Sequence, residues 1–176
     1  MRLILLLLSL SLSCIQAKAQ SIGNNTVHDT PGNYIKTAQS LTLDGAYALT
    51  NRARHTADSL HKNVTVVVLD ASGEILMITR GEGVGPHNTE AARRKAYTAL
   101  STKTATLLLM RNAKANPDAQ NLNTLPELLL LSGGVPIWFG GNLIGSIGVA
   151  GGGSAQNDDL IAKSVSILDR NISTTN

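Results

Sequence analysis

Four groups of residues in this chain have the type and spacing to do chemistry. His87 stands in Gly85-Pro86-His87-Asn88, at the mouth of a helical pattern. A neutral imidazole in an accessible loop is a common metal ligand, so His87 is the candidate metal residue. An ordinary capping or surface histidine satisfies the same pattern. Arg93, Arg94 and Lys95 follow within two turns and offer charge-assisted hydrogen bonds to carboxylates. A solvated helix face is the plainer reading of the same three residues. Gly133-Gly134-Val135-Pro136 and Gly151-Gly152-Gly153 carry backbone that can approach a ligand closely or simply turn tightly. Asp158 and Asp159 are adjacent, so on a helix they point about 100° apart and read as partners of the helix dipole.

Several chemistries are excluded by pattern. No Gly-x-Ser-x-Gly elbow occurs, and no Lys-Ser/Thr follows the glycine runs. No His-x-x-x-His spacing supports a zinc hydrolase. The single cysteine, Cys14, rules out a Cys-x-x-Cys-His heme attachment.

The elements that must position these residues begin with a leader. Met1-Arg2 precedes an apolar run from Leu3 to Leu12, and Ala17-Lys18-Ala19 forms a small-residue cleavage site before Gln20. Ten residues make about 15 Å of helix, half of a bilayer, so the pattern is a secretion signal and not a membrane span. Residues 1–19 are expected to be removed, leaving a periplasmic or secreted protein. Lipidation of Cys14 is the alternative, against which Ser11 stands where Leu is required. The full chain has 176 residues, 15 Lys+Arg and 12 Asp+Glu, a net +3. Cleavage removes Arg2 and Lys18, so 13 cations face 12 anions and the balance falls to +1. Phosphate-driven nucleic-acid binding is not expected at that charge. The remaining positive charge is local, at Arg93 to Lys95, and fits a small anionic ligand.

Residues 20–40 are polar, with Pro31 and Gly32, and read as an N-terminal arm. The folded domain is expected over 41–172. Leu41 to Lys62 reads as a helix capped by Thr42, with Leu43, Ala46, Tyr47, Thr50, Ala53, Ala57 and Leu60 on one face. Val64–Leu69 and Glu74–Arg80 read as a hairpin around Asp70-Ala71-Ser72-Gly73. A second helix is predicted from Thr89 to about Met110, with the small residues Ala92, Ala96 and Ala99 suited to close packing. Leu128–Leu131 reads as a short strand, Val135–Phe139 and Leu143–Ala150 as a second hairpin, and Asn157–Asn171 as a last helix. The order predicts an α+β fold with a single antiparallel sheet of about five strands packed by helices, profilin- or PAS-like.

Gly133-Gly134-Val135-Pro136-Ile137, followed by Gly145-Ser146-Ile147-Gly148-Val149-Ala150-Gly151, resembles the GlcG/HbpS-type heme-binding family, or haem-degrading domain family. Val66 to Gly73, Arg93 to Leu100 and Asn157-Asp158-Asp159 agree, and Gly85-Pro86-His87 is similar to the exported branch. The resemblance implies a homo-oligomer, often an octamer, and heme binding with slow heme breakdown in some members. Others are associated with glycolate use or corrinoid proteins, and a ligand-free structural oligomer is the third reading. With heme as cofactor, His87 is expected to be the iron ligand. Arg93 and Lys95 are then expected to pair with propionates, while Gly133, Gly134 and Pro136 shape the pocket.

Overall fold

A computed structural model of the chain describes Tyr34 and residues 36–176. The leader, Cys14 and His28 lie outside the described residues. The chain divides at Lys36/Thr37, and every element below belongs to the unit Thr37–Asn176.

Helix α1 spans Leu43–Ser59, and Thr42 caps it as expected, its hydroxyl accepting from the Gly45 N–H at 3.2 Å. Its buried face is Ala46, Leu49, Thr50, Ala53 and Ala57. Leu43 and Tyr47, expected on that face, are about half exposed, and Leu49 is the large side chain that is fully buried. His61, in the left-handed region at φ 55°, ends the helical path before Asn63.

Strands β1 (Thr65–Asp70) and β2 (Ile75–Arg80) form the predicted hairpin. Asp70 organises its turn by accepting from the Ser72 and Glu74 N–H groups and the Ser72 hydroxyl. Strands β3 (Gly134–Phe139) and β4 (Asn142–Ala150) form the second hairpin. The sheet order is β2-β1-β4-β3-β5, antiparallel throughout, with β5 being Ile172–Ser173. Alternation along β1 sorts the core. Val66 and Val68 face α1 and α4 (Ala155–Lys163), while Val67 and Leu69 face α2 (His87–Thr102).

Three predicted elements differ. The long second helix is broken: α2 ends at Lys103, in the left-handed region, and α3 runs from Thr106 to Ala115. Thr102 and Thr104 donate their hydroxyls to backbone carbonyls at the break, the local competition that disfavours hydroxyl residues in helix interiors. Leu128–Leu131 is not a strand. Leu128 and Leu129 bond to α2 side chains instead, and the fifth strand is the C-terminal β5. The last helix stops at Lys163 rather than Asn171. Ser164 turns its hydroxyl onto Ile161, and Asn171 at φ 55° reverses the chain so that Ile167 pairs with Ile172.

Candidate functional site

Helix α2 lies directly on the sheet because two glycines leave room for it. A Cβ on Gly148 would overlap the Ala92 carbonyl, and one on Gly134 would overlap the carbonyl of Lys95. Ala92 and Ala96, both fully buried, complete this contact. Gly133 sits at φ +109°, where a Cβ would meet the Val149 carbonyl and the Asp158 side chain. The Gly133-Gly134 pair is therefore spent on packing between backbone segments, not on the wall of a cavity. Pro136 is also buried, on a stretch of β3 that β5 does not reach, since β5 pairs only with Trp138 and Phe139.

Lys95 points into this packed zone. Its Nζ donates to the Val149 carbonyl at 2.9 Å and to Asp158 Oδ2 at 2.8 Å. Asp158 Oδ1 accepts from the Gly152 N–H, and Asn157 Nδ2 closes the loop on the Gly152 carbonyl. The last residue of the basic triplet thus belongs to an internal clasp joining α2, the end of β4 and the first turn of α4. Buried there and held by Val149 and Asp158, it is not at the surface to pair with a ligand propionate as expected. Asp158 is correspondingly more than a dipole partner. Asp159 takes Lys163 at 2.7 Å.

Arg93 faces outward but is engaged. It donates two hydrogen bonds to Glu90, at 2.7 and 2.9 Å, and one to Glu127 at 2.8 Å. The bonds to Glu90 and then Glu127 hold its guanidinium pKa above the ordinary value, and the bond from Arg93 lowers that of Glu90. Arg94 donates to the Leu128 carbonyl at 2.8 Å. His87, the first residue of α2, is exposed and makes no side-chain hydrogen bond. The structure therefore does not bring His87, Arg93 and Lys95 to one site. Among the described residues no group of three or more His, Cys, Asp or Glu is placed to hold a metal ion. None of their helices is long and apolar enough to cross a membrane.

Arg94 and Thr98 of α2 instead hold a wall. Arg94 holds Leu128, and the Thr98 hydroxyl accepts from the Leu129 N–H at 2.8 Å while donating to the Arg94 carbonyl. Leu129–Leu131 so pinned forms one side of a groove of about 750 Å³. Met110, Ala113 and Lys114 of α3 form the opposite side, and Gln120 and Asn123 of the 3₁₀ segment Pro117–Thr124 the end. That volume lies within the range of about 300–1,000 Å³ usual for small-molecule sites. Sequence reasoning missed it. The leucine run was the available signal, but a short apolar run reads as a strand by periodicity.

An antiparallel five-stranded sheet, the helix α2 seated on Gly134 and Gly148 of its β3–β4 hairpin, and an apolar groove between α3 and Leu129–Leu131 define the α+β domain. Residues 41–166 match the family described as haem degrading protein HbpS-like, and the chain belongs to that family. The crystal structure of HbpS is 33% identical over 78% of this chain and 95% of that one, with a TM-score of 0.71. The PduOC:heme complex is 30% identical over 78% of this chain and 99% of that one, with a TM-score of 0.68. The corrinoid adenosyltransferase PduO of Citrobacter freundii is 27% identical over 134 residues. These cover 75% of this chain but 40% of that protein, so the chain spans about two fifths of the length of the PduO relatives it matches.

Proposed function

We propose that this chain is an exported heme-binding protein, with slow macrocycle breakdown and iron release as a second activity. The observation that carries the reading is the PduOC domain, matched over 99% of its length, whose structure is a complex with heme. The residues of this chain fit such a group. The groove beside α3 has apolar walls, a thioether at Met110 and a lysine at Lys114, and both methionine and histidine hold heme iron in proteins. Bound heme supplies a redox-active iron. The chain supplies the walls, a cation and a ligand atom, with His87 and Met110 as the candidate ligands.

Export rests on the leader pattern ending at Ala19. Mass spectrometry of the exported protein should find Gln20 at its N-terminus, whereas retention of Met1 overturns export. A homo-oligomer belongs to the same reading. Ile75 and Ile78 are nearly half exposed on the edge strand β2, an apolar edge suited to a second copy. A monomer by light scattering overturns that part.

The test of ligand class is a hemin titration of the purified protein followed at the Soret band. A saturable shift at one hemin per chain is expected, and its absence overturns heme binding. A second reading, a corrinoid-associated accessory protein, is favoured by the PduO matches. Saturable hydroxocobalamin binding with hemin silent would establish it instead.

A further inference from the structure

We infer that β2 pairs antiparallel with β2 of a second copy of this chain, across a two-fold axis at Ile78, and so joins two five-stranded sheets into one. The inference rests on the homo-oligomer reading above and deepens it by naming the strand, its direction and its register.

The backbone of β2 is open on its outer side. The Gly81 N–H donates to the Val64 carbonyl at 3.0 Å, so these two residues form a hydrogen-bonded pair of the antiparallel ladder. Alternation makes Val66–Thr79 and Val68–Met77 the next two such pairs. The N–H and C=O groups of Ile78 and Arg80 therefore point away from β1, off the edge of the sheet. The ladder's register shift falls between Val68 and Leu69, opposite the start of β2, and leaves Met77 to Arg80 regular.

That edge is apolar. Ile78 lies opposite Val67 and Ile75 opposite Leu69, so both point to the α2 side of the sheet. Helix α2 packs on β1, β3 and β4, and beyond it Ile75 and Ile78 stay 47% and 44% exposed. Edge strands are commonly guarded by a charge or a proline within the strand, and none stands between Ile75 and Thr79.

The charges at its ends select the occupant. Glu74 and Arg80 bracket the apolar run, and both are exposed. Among the described residues neither side chain takes part in an ion pair. A parallel second copy would set like charges together. An antiparallel copy sets Arg80 at the Glu74 end of the other strand, where unlike charges attract. A strand with opposite charges at its two ends is complementary to itself reversed, which is the arrangement a two-fold contact requires.

The test measures assembly mass by light scattering and sedimentation for wild type, Ile78→Lys, Arg80→Glu and the double variant Glu74→Lys/Arg80→Glu. Circular dichroism melts check that each is folded. Ile78→Lys and Arg80→Glu should halve the assembly mass, with a dissociation constant raised about tenfold or more. The double variant exchanges the charges at both ends and should restore the wild-type mass. A disulfide trap tests the register without disturbing it. Ile78→Cys, made with Cys14→Ser so that no other thiol remains, should oxidise to a covalent dimer, while Leu160→Cys on α4 in the same background should not. Facing Ile78 residues would have Cα atoms about 5.5 Å apart, inside the range of about 4.4–6.8 Å that a disulfide spans. An oligomer whose mass Ile78→Lys and Arg80→Glu leave unchanged overturns the β2 contact while leaving the homo-oligomer intact. Dissociation by Arg80→Glu that the double variant does not repair overturns the antiparallel direction, and an Ile78→Cys protein that stays uncrosslinked overturns the register. A monomeric wild type overturns this inference and the homo-oligomer reading together.

Discussion

Lys95 Nζ and Asp158 Oδ2 meet at 2.8 Å in the interior, with side chains only 5% and 11% exposed. The pair ties the middle of α2 to the start of α4 across the end of β4. Each charge also has a backbone partner, so the desolvation of the two is shared among four groups. Removing one partner leaves a buried charge unpaired. Lys95→Met should therefore lose about 3–5 kcal/mol of unfolding free energy in a denaturant titration. The double variant Lys95→Met/Asp158→Leu should recover part of that loss, because it removes both charges. A Lys95→Met protein as stable as wild type would refute the clasp.

The two glycines under α2 make a second prediction. Gly148→Ala places a methyl inside the Ala92 carbonyl, and both groups are backbone or backbone-fixed. The helix must lift from the sheet, which breaks the Val67, Leu69, Ala92 and Ala96 cluster. Soluble expression should fall sharply, with a thermal midpoint well below wild type. Gly83→Ala is the control: its φ is +74° but nothing lies within 4 Å of the added carbon. Only the backbone penalty applies there, about 1 kcal/mol. Equal losses in the two variants would show that close packing is not the cause.

The sheet and its two hairpins were legible because Val64–Leu69 and Leu143–Ala150 carry strong β signals bounded by glycine turns. The small-residue face of α2 was legible for the same local reason. What the sequence hid was non-local. Lys95 sits in a run of three cations, and nothing in that run says that the third points inward onto a carboxylate 63 residues later. Gly133-Gly134 reads equally as a ligand cradle or as a bed for a helix, and only the proximity of Lys95's own carbonyl decides. The tetraleucine Leu128–Leu131 has strand composition, yet its amide is claimed by Thr98 before any strand can pair with it. Lys103 carries no helix-stop signal of its own, so the break between α2 and α3, and with it the groove, lay outside local reasoning.

Asp70 gives a pH-dependent prediction. Burial raises its carboxyl pKa. The Ser72 hydroxyl and the Glu74, Ser72 and Gly73 backbone groups oppose this and hold it below the ordinary aspartate value. A folded-state value below the unfolded one contributes stability above the unfolded pKa, about 3.9, and that contribution is lost as pH falls through the folded value. Asp70→Asn should therefore be less stable than wild type at pH 7 and above. The difference should narrow progressively below about pH 4, as the wild-type carboxyl takes up its proton. Parallel urea titrations between pH 3 and 7 measure it. A difference that does not change with pH would mean that the carboxylate charge is not what holds the β1–β2 turn.

Thr98 links the clamp on the sheet to the groove. Its hydroxyl is fully buried, donates to the Arg94 carbonyl and receives the Leu129 N–H, so one atom orders the wall that faces Met110. Thr98→Val keeps the shape and removes both bonds. The Arg94 carbonyl keeps its place in the α2 ladder, but the Leu129 N–H is left without its acceptor, at a cost of about 1–3 kcal/mol. That cost falls on the leucine segment rather than on the sheet. Hydrogen exchange should accelerate at Leu129 and its neighbours while the β1 and β4 amides stay protected. If exchange at Leu129 does not move, water has replaced the hydroxyl, and Thr98 is not what sets the groove.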